Sequence, residues 1–148
     1  MTPSEQLVKI ATDDKHKDID ITDDLKVADE VSCAFALTTI LHEQDSRVPI
    51  IYGTKELDDY LSNSPLFRKI EQPIETMKAG WIVNSPTMTN SRPDIMPNGH
   101  CGLYITETEI MSNSSESGLW CQNYTRDSWR KRYGEKGRYP IRIYEKVV

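Results

Sequence analysis

The apolar positions of this chain change period partway along it. In DEVSCAFALTTILHEQ, Cys33, Leu37, Ile40 and Leu41 recur at i, i+4, i+7 and i+8, which is one face of a helix and the strongest helical signal present. Upstream, SEQLVKIA sets Leu7, Val8 and Ile10 behind Ser4, a capping residue type, and predicts a short first helix. GTKELDDYLSNSP predicts another, capped by Thr54 and ended before Pro65. Beyond it the helical period is lost. AGWIVNSP, GHCGLYIT, TEIMSN and YPIRIYEKVV are short, rich in branched or aromatic residues and bounded by Gly, Pro, Asn or Ser, so each predicts a strand. TMTNSRPDIMPN and the acidic stretch after the first helix read as loops, SNSSESGLW as a polar loop, and RDSWRKRYG as one or two helical turns before Gly134. Helices followed by strands predict an α+β domain whose antiparallel sheet packs on the Cys33 helix.

Length and composition narrow the classes. A chain of 148 residues fits one domain, able to bury roughly 70% of its unfolded surface without a metal or disulfide staple. Residues 1–29 read as an extension less firmly tied to the domain than the rest. Hydrophobic residues make up 37% and charged residues 28%, and no apolar run reaches the about 20 residues needed to span a bilayer, so no membrane role is expected. MTPSEQLVKIATDD has neither a basic start nor an apolar stretch, so synthesis in the cytoplasm without a secretory signal is the expectation. A net charge of −5 argues against nucleic acid as the main partner, because binding it needs a basic surface to displace counterions. Three cysteines, Cys33, Cys101 and Cys121, are unsuited to a disulfide framework or a paired-cysteine zinc site. His100 and Cys101, adjacent on a strand, point to opposite faces, so a metal site built from them is not expected; a thiol nucleophile needs no cofactor, and none is expected.

Two residues carry candidate chemistry. Cys33 falls near the expected start of its helix, with Ser32 or an earlier residue as cap, where free amides and the helix dipole would favour a thiolate and could hold an oxyanion. A free cysteine on a helix face also serves as a small buried apolar residue. On the strand GHCGLYIT, alternation sends Cys101, Leu103 and Ile105 toward the core and His100, Gly102 and Tyr104 the other way. Gly102 leaves room for another element to come close. An imidazole brought to Cys33 would be a general base for a thiol nucleophile.

The ordered pieces VSCAFALTTIL, AGWIVNSP, NGHCGLYI and EIMSNSS, over residues 30 to 147, resemble the NlpC-type and CHAP cysteine amidases and peptidases. That resemblance implies a papain-like α+β domain that hydrolyses an amide or peptide bond of bacterial peptidoglycan, as an endolysin or virion-associated lysin. It implies Cys33 as nucleophile and His100 as base. It also implies a polar residue shortly after the histidine strand that orients the ring: Asn113, with Ser112 taking its place if the register slips by one. The chain departs from the commonest NlpC pattern, with Ser32 before the cysteine and Ala34-Phe35 after it.

Trp120 and Ser112 are the candidate substrate contacts, Trp120 because its polar loop continues from the proposed catalytic strand. Trp81, Tyr104, Tyr124 and Trp129 are further aromatics that could line a groove or fill the core. The expected partner is peptidoglycan, met by a monomer delivered through holin, virion or secretion system. Two other classes fit the same residues: a non-catalytic virion or wall-binding module, and a cysteine acyltransferase or deamidase acting on a protein.

Overall fold

The computed structural model describes residues 1–21, 29–71, 76–87 and 99–148. The expected loop over TMTNSRPDIMPN lies outside them from residue 88 to its end, as do residues 22–28 of the acidic stretch. Helix α1 is Pro3–Ala11; its cap is Thr2, whose hydroxyl accepts the Glu5 amide, while Ser4 lies inside the first turn. Helix α2 is Asp29–Gln44 and α3 is Thr54–Asn63. Thr54 is the first helical residue of α3 rather than its cap, which is Gly53, and the helix ends ahead of Pro65 as expected.

Six described strands form one antiparallel sheet: β1 Phe67–Ile70, β2 Ile82–Ser85, β3 His100–Tyr104, β4 Glu109–Asn113, β5 Trp120–Thr125 and β6 Arg142–Lys146. Their spatial order is β1-β6-β2-β3-β4-β5. β1 and β5 were not legible in the pattern; the expected polar loop SNSSESGLW ends in β5. Helix α4, Arg126–Trp129, opens with a capping box from Thr125 and Ser128 and continues as a π-helical turn, Arg130–Lys136, which runs past Gly134.

Both faces of the sheet are covered, which is why every residue of β2 and β3 is buried. One face meets α1, α2 and α3 through Leu37, Ile40, Leu41, Cys101, Leu103 and Met111. The other meets Trp129 and Tyr133 through Val83, Tyr104, Ile110 and Ile143. The alternation expected for β3 therefore holds, with the difference that its Tyr104 side is also core. Leu7 and Ala11 of α1 are fully buried against α2, which builds that helix into this core, and Ile19 bridges to Trp120. A buried polar tie joins α3 to β6, where Asp58 accepts from the Tyr144 hydroxyl at 2.8 Å and pairs with Arg142. No described helix is long and apolar enough to cross a membrane.

Candidate active site

α2 lies across β3 and β4, and this packing brings Cys33 onto the start of β3. There its thiol lies beside Cys101 and His100, both of which act on its ionisation. The two thiols are displaced in opposite directions. The Cys33 thiol is held well below the ordinary range, first by the hydrogen bond from Cys101, against the cost of burial, and then by the charge and hydrogen bond of His100. The Cys101 thiol is pushed well above it by burial and by the neighbouring Cys33 thiolate.

The helix end plays a smaller part than expected. α2 begins at Asp29, so Ser32 is a buried residue inside the helix and not its cap, and Cys33 lies a full turn in. The amide of Cys33 then follows the four free N–H groups of a helix start and is committed to the carbonyl four residues back. The thiolate is stabilised by side chains instead.

His100 opens β3, and its ring is held from both sides. Nε2 meets the Ser112 hydroxyl at 2.9 Å, and Ser112 in turn donates to Oδ1 of Asn123 at 2.6 Å. Because the one hydroxyl proton is given to Asn123, Ser112 can only accept from the ring, which makes Nε2 the protonated nitrogen and leaves Nδ1 for Cys33. The imidazole also stacks on Tyr133, centroids 5.6 Å apart at 11°, and on Trp129, 5.4 Å apart at 29°, with Tyr124 5.7 Å away. These faces fix the plane of the ring. Trp129 is anchored by its indole N–H on the Ser85 hydroxyl at 3.0 Å, and Ser85 pairs with His100 between β2 and β3.

Two backbone features make this possible. A Cβ on Gly102 would stand 2.7 Å from the Met111 carbonyl and 3.2 Å from the Ser112 Cβ, so the glycine lets β4 close in and set Ser112 beside the ring. On the far side of β4, Ile110 pairs with Tyr124 while Met111 pairs with Gln122, which leaves Asn123 as an extra residue in β5. This bulge turns Asn123 and Tyr124 to the same face, toward Ser112 and His100.

The expected third residue is corrected accordingly. Asn113 lies on the opposite face of β4, paired with Trp120, and its buried Oδ1 has no partner among the described residues. Ser112, the one-residue alternative, is the side chain on the imidazole, and being fully buried it touches the ring rather than a substrate. Trp120 is corrected too. It is fully buried under α1, its indole N–H donating to the Ala11 carbonyl at 3.1 Å, so it lines no groove. The cleft that does open at the site, about 140 Å³, lies beside His100 and is lined by Asn123, Tyr124, Arg132, Glu116 and the serines that precede it. Cys33 is 4% exposed and His100 8%. Pattern reading missed Asn123 and Arg132 as site residues, because WCQNYT has no clear period-2 alternation to mark β5.

No protein-family model matches the chain, and no curated protein matches its sequence.

Proposed function

We propose that this protein is a papain-like thiol hydrolase of the NlpC or CHAP type that cleaves an amide or peptide bond of peptidoglycan. The observation that carries the reading is Cys33 beside His100, whose ring is hydrogen-bonded through Ser112 to Asn123, with a polar cleft lined by His100 and Asn123. In this mechanism Nδ1 of His100 takes the Cys33 proton and the thiolate attacks the carbonyl carbon. The imidazolium, steadied by Ser112 and by the faces of Trp129 and Tyr133, returns the proton to the departing amine. Water then releases the acyl group from sulfur with His100 as base. Arg132, Glu116 and Tyr124 give the cleft the mixed charge and aromatic surface suited to a peptide stem that carries carboxylates and amines. The chain works as a monomer, made in the cytoplasm and delivered to the wall.

Incubating the protein with sacculi of several wall types should release new amine termini, and Cys33→Ala and His100→Ala should each abolish the release. If no wall type yields new termini, the hydrolase reading fails. The low exposure of Cys33 favours a second reading, a non-catalytic binding module. That module predicts a Cys33 no faster than a free thiol toward an alkylating probe near neutral pH.

A further inference from the structure

The nearness of the two buried thiols opens chemistry beyond peptide hydrolysis. Cys33 comes from α2 and Cys101 from β3, both are free, and the two belong to one core cluster. The packing of α2 on β3 holds these two free thiols in the same interface, where an oxidant could join them. Their opposite displacements suit that step, the Cys33 thiol being lowered and the Cys101 thiol raised.

We propose that Cys33 and Cys101 form a peroxide-sensitive pair, in which Cys33 is oxidised and Cys101 captures it as an intramolecular disulfide. In the first step the Cys33 thiolate attacks a peroxide oxygen, so that an S–O bond forms, the O–O bond breaks, and the leaving oxygen takes a proton and departs as alcohol or water. In the second, Cys101 gives up its proton, which joins the sulfenic hydroxyl. Its sulfur attacks that of Cys33, the S–S bond forms, the S–O bond breaks and water leaves. Two thiols and one peroxide become one disulfide, one alcohol (or water) and one water. The disulfide takes Cys33 out of action and also shields it from the irreversible sulfinic and sulfonic stages. Cys121 is separate: it sits in β5, across the β-ladder from Ser112, and burial pushes its thiol up.

The test is hydrogen peroxide added to the reduced full chain, followed by blocking of free thiols, intact mass and peptide mapping without reductant. The expected result is a protein lighter by two hydrogens, with titratable thiols falling from three to one, the Cys33 and Cys101 peptides linked, and full return on dithiothreitol. Cys101→Ser should instead carry Cys33 to sulfinic acid that dithiothreitol does not reverse, while Cys121→Ser should behave as the parent. A linkage through Cys121, or a Cys101→Ser protein whose Cys33 oxidation stays fully reversible, overturns the proposal. So does a parent that forms no disulfide at peroxide levels that oxidise Cys33. The mass readout is independent of wall cleavage, so it separates failure of this pair from failure of the hydrolase reading.

Discussion

Replacing Ser112 with alanine isolates the contact that orients the imidazole. The hydroxyl accepts Nε2–H of His100 at 2.9 Å in a fully buried position, whereas its other partner, Asn123, is exposed and can exchange the lost bond for water. The cost therefore falls on the ring. A hydrogen bond to a group that becomes charged contributes about 1.5–3 kcal/mol. At about 1.4 kcal/mol per tenfold, that is a fall of roughly 10- to 150-fold in kcat. KM should change little, because Ser112 touches the ring and no substrate. The paired control is Asn113→Ala, one residue along and on the opposite face, which should leave kcat within about threefold, since its amide oxygen has no partner among the described residues. The assay is release of amine termini from sacculi at saturating substrate, with thermal melts to show that both variants are folded. If Asn113→Ala costs as much as Ser112→Ala, or Ser112→Ala leaves kcat unchanged, the relay drawn from Ser112 to His100 is wrong.

Cys101→Ala removes the largest influence holding the Cys33 thiol low, so the midpoint of Cys33 alkylation against pH should move upward, toward the ordinary thiol value of about 8.5; an unmoved midpoint refutes the assignment. Gly102→Ala forces a Cβ to within 2.7 Å of the Met111 carbonyl and 2.8 Å of the Ile110 Cγ2, and should cost about 1–3 kcal/mol by denaturant melts as β3 and β4 separate, with kcat falling alongside. The Asp45 carboxyl is held well below the usual range by Arg47 and by the fully buried ammonium of Lys146. Since its folded value is the lower one, the stability it provides is complete above its ordinary value near 3.9 and fades as pH falls below that toward the folded value. Asp45→Asn should flatten that part of the acid unfolding profile and, by leaving the buried Lys146 ammonium without its carboxylate and held by the Val148 carbonyl, cost about 3–5 kcal/mol at neutral pH.

Local patterning determined the long α2 helix, the strands β2, β3, β4 and β6, and the two-sided alternation of β3. It also placed a cysteine and a histidine on elements that could meet, because apolar spacing reports which face of an element must be covered. Tertiary structure decided the rest. β1, with charged Arg68 and Lys69 inside only four residues, and β5, polar along its exposed positions, carry little periodicity of their own; pairing with β6 and β4 makes them strands. The choice of Ser112 over Asn113 turns on strand register, and Asn123 reaches Ser112 through a bulge that exists only where β5 is paired with β4. The aromatic faces on His100 come from a turn far along the chain that covers the second side of the sheet. The Cys33 thiolate is stabilised not by the helix start that its local sequence suggested but by Cys101, a partner brought to it across the packed interface of α2 and β3.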